Sequence, residues 1–117
     1  MAYHTIGSFR KRVYNISNHS SSTAAAFVVP NRAKLVEVLQ TVKVNQTASA
    51  ASWTMSQNGS QITGLSSVAV TTGAVGESTA ASTGTPTSET FLARGDVLSV
   101  VGSSLTASNW SIVVSEF

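Results

Sequence analysis

Short apolar runs, each closed by a turn signal, constrain the fold of this chain more than any other feature. The clearest reads SETFLARGDVLSVV, from Ser88 to Val101, in which two apolar strands flank a Gly-Asp turn. Such signals recur about every 8 to 14 residues and no segment is convincingly helical, which is typical of an antiparallel sandwich or barrel. The sequence predicts an all-β fold: an antiparallel, jelly-roll-like β-sandwich of eight to nine strands with an N-terminal arm.

Two segments support that fold class. The longest periodic segment, Ala33 to Asn45, alternates as a strand does and is rich in β-branched residues, although its opening AKLVEVLQ would also fit two helical turns. The all-β context favours the strand. Asn58-Gly59 lies between two strand-like runs and predicts a type I′ hairpin, since both central residues of that turn need positive φ.

A chain of 117 residues makes one domain. We expect residues 1–12 to form an arm and residues 13–117 a single β-sandwich domain. Within the arm, Tyr3, Ile6 and Phe9 favour docking onto another surface over a freely solvated tail, because a free tail rarely needs three large apolar residues. The Gly- and Ser-rich segment from Gly73 to Thr87 predicts a long surface loop, part of which (residues 78–82) would also fit an edge strand.

Charge and cysteine content narrow the class of function. Charged residues make up 10% of the chain and the net charge is +2, which gives little support to a nucleic-acid partner. The surface must be rich in hydroxyl groups, which suits a protein that lies against another protein. Cysteine is absent, which excludes disulfides and thiolate metal sites. No run reaches membrane-spanning length and no secretory leader is evident, so we expect synthesis in a host cytoplasm and no membrane.

No group of residues is typical of an enzyme. The two histidines, His4 and His19, have no neighbouring acid, and the five carboxylates are scattered without a motif. No phosphate-binding glycine pattern follows a strand. We therefore expect no catalytic activity, no metal, no cofactor and no small-molecule substrate.

Two other features have a structural and a functional interpretation. Arg94-Gly95-Asp96 spells a tripeptide that integrins read, but a turn accounts for it better: Gly95 permits the backbone and the Asp96 carboxylate accepts hydrogen bonds from turn amides. Trp53 and Trp110 fit core packing, whereas a sugar-binding module would expose them. The second interpretation keeps a carbohydrate-binding alternative open.

The C-terminal third carries a resemblance to a known family. The runs Phe91 to Val101 and Trp110 to Phe117 resemble the closing strands of small viral jelly rolls, and over residues 23–117 the architecture is similar to tailed-phage capsid decoration (cement) proteins. The resemblance implies a homotrimer on the outer capsid surface of a virion that binds across major capsid protein subunits and stabilises the shell. The expected capsid-binding residues are Tyr3, Ile6, Phe9, Arg10, Lys11 and Arg12.

Three further hypotheses belong with this one. The strand around residues 35–44 is a candidate contact between copies in the trimer. A receptor- or carbohydrate-binding head, such as a fibre tip, is the alternative that exposed tryptophans would favour. A minor structural virion protein is the third, and a copy number far below that of the major capsid protein would distinguish it.

Overall fold

The computed structural model describes residues 10–19, 24–42, 51–70, 81–105 and 107–117. These residues form antiparallel strands and turns, and none of them is helical, which confirms the predicted all-β sandwich. The strands are β1 (Arg10–His19), β2 (Ala25–Val28), β3 (Ala33–Val42), β4 (Ser52–Gln57), β5 (Ser60–Gln61), β6 (Val68–Ala69), β7 (Ala81–Gly84), β8 (Thr90–Leu92), β9 (Val97–Ser103) and β10 (Ser108–Glu116).

The ten strands occupy eight positions in two sheets, because β7 and β8 share one position and β5 and β6 share another. The first sheet has the order β1-β10-β3, with β7 and β8 both paired to the far edge of β3. The second has the order β2-β9-β4, with β5 and β6 both paired to β4. The first strand thus lies beside the last, and the second beside the last but one. This strand order is that of a two-sheet jelly roll. The predicted eight to nine strands correspond to its eight strand positions.

Strand β1 crosses the predicted boundary between arm and sandwich at residue 12. Strand β1 begins at Arg10, which pairs with Glu116 of β10, and the ladder continues through Arg12 opposite Val114. A run of charged side chains does not prevent pairing, because the backbone supplies the ladder hydrogen bonds and the side chains leave on alternate faces. The strand continues to His19.

Strand β3 confirms the strand interpretation of residues 33–42 but changes face along its length. Opposite Val113 and Val114 of β10 stand Glu37 and Leu35, so Val36 is a bulge. Before the bulge Leu35 is buried, and after it Val38, Gln40 and Val42 are buried. A bulge adds one residue to one strand and reverses the alternation beyond it. The expected alternation therefore holds from Val38 to Val42 and is wrong at Leu35, which lies on the buried face as well.

Both tryptophans lie in the core, as the packing interpretation predicts. Trp53 of β4 is 1% exposed and Trp110 of β10 is fully buried. Their ring centroids are 6.5 Å apart in an edge-to-face arrangement, a favourable geometry for two aromatic quadrupoles. Because the two strands belong to different sheets, this contact joins the two layers of the sandwich.

A chain of polar side chains crosses the same core. The indole Nε1 of Trp53 donates to Oγ of Ser82 over 2.7 Å, and that hydroxyl donates to Oε1 of Gln40 over 2.9 Å. Nε2 of Gln40 in turn donates to Oγ of Ser108 over 3.0 Å. Burial of a polar group costs free energy unless it is hydrogen-bonded, and these three bonds, of which the one from Trp53 to Ser82 joins the two sheets, reduce that cost.

The Arg-Gly-Asp turn has the predicted structural role. Asp96 accepts hydrogen bonds from the backbone N–H of Ala93 at 2.8 Å, from Nε2 of Gln57 at 2.9 Å and from Nδ2 of Asn58 at 3.1 Å. Gly95 has a φ of +92°. The carboxylate thus ties the β8–β9 turn to the β4–β5 hairpin at the same end of the molecule.

The predicted hairpin is confirmed at Asn58-Gly59. Both residues have positive φ, at 51° and 88°, and the flanking residues Gln57 and Ser60 are paired across the turn. This is the backbone that a type I′ turn requires.

Candidate protein-binding end of the sandwich

One end of the sandwich collects most of the cationic residues of the chain. This end consists of the start of β1, the β2–β3 turn with the start of β3, the β8–β9 turn and the end of β10. Six of the chain's 7 lysines and arginines belong to these segments. We call it the basic end, and its cations are Arg10, Lys11, Arg12, Arg32, Lys34 and Arg94.

Antiparallel register is what brings these residues together. Arg10 pairs with Glu116, Glu116 pairs with Ala33, and Ala33 pairs with Leu92, so four distant segments form one row across the first sheet. The β8–β9 turn follows Leu92 directly, and its Gly95 N–H donates to the carbonyl of Val29 just before the β2–β3 turn. Cations that are scattered in the sequence therefore share one end of the fold.

A buried carboxylate, Glu116, lies within the basic end. Glu116 is 7% exposed and accepts hydrogen bonds from the phenol of Tyr14 at 2.8 Å, from Nε of Arg12 at 3.1 Å and from Nδ2 of Asn31 at 3.5 Å. The Tyr14 hydrogen bond is the main cause that lowers the pKa of Glu116. Burial foremost raises the pKa of Tyr14 well above its ordinary value. At neutral pH the pair is therefore a neutral phenol and an ionised carboxylate.

Asp96 of the basic end and Glu89, which lies beside Lys34 just before β8, also have partners within the protein. Glu89 accepts a hydrogen bond from Nζ of Lys34 at 3.1 Å. Asp96 is held by the turn, and the backbone N–H of Ala93 is the first cause that lowers its pKa. Six cations and three carboxylates leave this end with a net positive charge.

A small cleft opens beside Glu116. Its volume is about 260 Å³, and it is lined by Arg10, Asn31, Arg32, Glu116 and Phe117. The guanidinium carbon of Arg32 lies 5.3 Å from the centroid of the Phe117 ring, within the range of a cation–π contact. The Phe117 ring lies 6.1 Å from that of the exposed Phe91. The cleft thus combines two guanidinium groups with an aromatic wall, and we call it the arginine cleft.

The expected capsid-binding residues are only partly brought together. Arg12 pairs with Glu116, Arg10 lines the arginine cleft, and Lys11 lines a separate groove of about 730 Å³ with Lys34. The three consecutive cations therefore do not form the single patch that the sequence suggested, because adjacent strand residues face opposite sides. Tyr3, Ile6 and Phe9 lie outside the described residues.

Sequence reasoning missed Arg32 and Asn31. Both follow Pro30 in the β2–β3 turn, and Pro30 itself predicts only that a strand ends there. No local pattern places this turn beside Arg10, since that proximity comes from the pairing of β1 and β3 with opposite edges of β10.

A second surface of distinct character is the outer face of β2, β9 and β4. Every side chain on it is small and uncharged, and Val28 and Val101 are 61% and 42% exposed. Strand alternation assigns it Ala26, Val28, Ser52, Thr54, Ser56, Val97, Ser99, Val101 and Ser103. We call it the uncharged face. It can be covered by another protein without desolvating an ion.

Within the described ranges, no group of three or more His, Cys, Asp or Glu residues could hold a metal ion. The same residues include no helix long and apolar enough to cross a membrane.

Comparisons with known proteins return likeness of fold. No protein-family model matches the chain, and no curated protein matches it. A chain of the acid-stable capsid of Helicobacter pylori bacteriophage KHP30 is similar at 15% identity and a TM-score of 0.48, over 92% of this chain and 94% of that one. A family 35 carbohydrate-binding module from Clostridium thermocellum is similar at 12% identity and a TM-score of 0.43, over 92% and 91%. Similarity at this level says nothing about function.

Proposed function

We propose that this protein is a virion structural protein, a capsid decoration (cement) protein that binds across major capsid protein subunits on the outer surface of the shell. The observation that supports it best is the basic end, where three carboxylates already have partners within the protein and an excess of cations is left for an acidic partner. A jelly roll with few charges elsewhere contacts a larger protein at small desolvation cost.

The proposed mechanism is mass action. A protein that binds the assembled shell and not its separated subunits stabilises the shell by its binding free energy. In a homotrimer, three linked copies would add avidity without new contacts in each copy. This mechanism requires no catalysis, metal, cofactor, membrane, nucleic acid or small-molecule substrate.

For the contact between copies we propose the uncharged face instead of the strand at residues 35–44. Strand β3 is paired on one edge to β10 and on most of the other to β7 and β8, so little of its backbone edge is open to a second copy. The uncharged face instead exposes Val28 and Val101 on a surface without ions. Flat surfaces of this kind pack in oligomers with little electrostatic cost.

For the capsid contact we propose the basic end together with the arm. The arm would contribute Tyr3, Ile6 and Phe9. Because residues 10–12 belong to β1, a deletion that removes the arm and spares the fold must stop at residue 9.

The test is binding of the purified full chain to shells assembled without it. We expect saturable binding at high copy number, weaker binding at higher salt, and a raised melting temperature of the shell. Arg94→Gln should weaken binding more than Thr83→Glu, which changes the net charge equally on the outer face of β7, and deletion of residues 1–9 should weaken it further. A shell that takes up no protein would refute decoration, and a copy number far below that of the major capsid protein would favour a minor structural role.

The carbohydrate-binding alternative depended on exposed tryptophans. Both tryptophans are buried in the core.

A further inference from the structure

We propose that the arginine cleft receives a carboxylate from an acidic segment of a partner protein, held between Arg10 and Arg32. This inference rests on the proposed function for the identity of the partner, and it deepens that function by naming the chemistry of the contact. It adds Arg32, which lies 22 positions from Arg10 in the sequence, to a site that the arm alone does not define.

Over the described residues, the internal ion pairs include neither of the two guanidinium groups that line the cleft. Arg12 forms the ion pair with Glu116, and Lys34 forms the one with Glu89. In the part of the chain that the structure describes, neither Arg10 nor Arg32 forms an ion pair. Both line the same cleft of about 260 Å³, which is large enough for one side-chain head group.

Glu116 does not neutralise this cleft. Its two oxygens already accept from Tyr14, Arg12 and Asn31, and Arg12 offsets its charge. The buried carboxylate therefore fixes the wall of the cleft, because it holds Asn31 of the β2–β3 turn against β1 and β10. Arg10 and Arg32 remain to meet an incoming anion.

Arg32 is held in place before any ligand arrives. Its guanidinium group lies against the face of the Phe117 ring. A guanidinium in a cation–π contact retains N–H donors, and their fork matches the two oxygens of a carboxylate. Holding the side chain in advance lowers the entropy lost on binding.

A protein carboxylate fits this cleft better than the phosphates of a nucleic acid. The cleft of about 260 Å³ with its two guanidinium groups offers a single anion site, which suits one carboxylate head group. A nucleic acid also needs cations along a track, but the uncharged face has none and the net charge of the chain is only +2. An acidic loop needs one such contact point.

The inference is testable on the free protein without any shell. A blocked oligoglutamate peptide is titrated into isotope-labelled full chain, and the arginine side-chain NMR signals are followed, with the oligoglutamine counterpart as ligand control. Arg10→Gln and Arg32→Gln are compared with Lys11→Gln, which removes the same charge from the opposite side of β1. We expect each arginine variant to weaken binding by about 10-fold and Lys11→Gln by about 2-fold or less.

Each result decides the matter. Equal weakening by all three variants would mean general charge attraction and would overturn the assigned site. Binding of oligoglutamine as tightly as oligoglutamate would overturn it too. Tighter binding of inorganic phosphate through the same arginines would overturn the carboxylate assignment. If the protein binds oligoglutamate but no shell, the carboxylate site is supported and the decoration role is refuted. If both arginine variants bind the shell as well as wild type does, the decoration role is supported and the carboxylate site is refuted. A melting curve for each variant confirms that it is folded.

Discussion

The phenol of Tyr14 donates a 2.8 Å hydrogen bond to Oε2 of Glu116, across 102 positions of sequence. It joins the first strand to the last beside the arginine cleft. The Tyr14 ring also stacks on Phe27 of the second sheet, with centroids 4.6 Å apart. One side chain thus links both sheets and holds the only buried charged residue of the described core.

Replacement of this phenol should destabilise the protein without a loss of packing. Tyr14→Phe keeps the ring on Phe27 and removes one of the three donors to Glu116. We expect a loss of about 1–2 kcal/mol in unfolding free energy by urea denaturation. The matched control is Ser111→Ala, which removes an exposed 3.2 Å hydrogen bond to Asn15 and should change stability by about 0.5 kcal/mol or less. Equal effects of the two variants would contradict a special role for Tyr14.

Stability should fall in acid, in part through Glu116. Its folded-state pKa is lowered from an ordinary value of 4.5, so its contribution is complete above that value and is lost as the pH falls through the lowered pKa. Asp96, whose pKa is also lowered, adds a second contribution of the same sign. Urea unfolding as a function of pH should show the stability difference between wild type and Glu116→Gln shrink in acid. A difference that stays constant with pH would contradict this assignment.

The β8–β9 turn should tolerate asparagine better than a branched residue. Gly95 has a φ of +92°, and a Cβ added there would meet nothing within 4 Å, so backbone strain is the only direct cost. We expect Gly95→Val to cost about 1–2 kcal/mol and to lower the melting temperature, with a smaller effect for Gly95→Asn, which adopts positive φ more readily. An unchanged melting temperature for Gly95→Val would contradict backbone strain at this turn.

The polar chain through the core should be sensitive to its central hydroxyl. Ser82→Ala leaves Nε1 of Trp53 and Oε1 of Gln40 without this partner. We expect a loss of about 2–4 kcal/mol, because two buried polar groups lose a hydrogen bond. Thermal and urea unfolding measure it. Thr83→Ala, at the neighbouring exposed position of β7, is the control and should stay within about 0.5 kcal/mol of wild type.

Tryptophan fluorescence should report a closed core. With Trp53 at 1% exposure and Trp110 at 0%, we expect blue-shifted emission and weak quenching by acrylamide. Added saccharides should leave the emission unchanged. Strong quenching by any one glycan would restore the carbohydrate-binding alternative.

The predictions for the two tight turns were confirmed because they depend on the chemistry of neighbouring residues. Asn58-Gly59 forms its turn because two adjacent positive φ values suit few other pairs, and Asp96 caps its turn because the carboxylate reaches amides three residues away. The bulge at Val36 could not be predicted in this way, because whether a strand bulges depends on its partner strand, and β10 is far away in the sequence.

The sequence alone determined the class of fold, the positions of the tight turns and the low charge of the surface, since these follow from side-chain chemistry and nearest neighbours. It also named Arg10 as a candidate contact. Only the tertiary structure decided that Arg10 lines one cleft with Arg32 and that Arg12 pairs with Glu116. The reason is that antiparallel pairing joins residues by register and sends alternate side chains to opposite faces, and neither the partner strand nor the register is encoded locally.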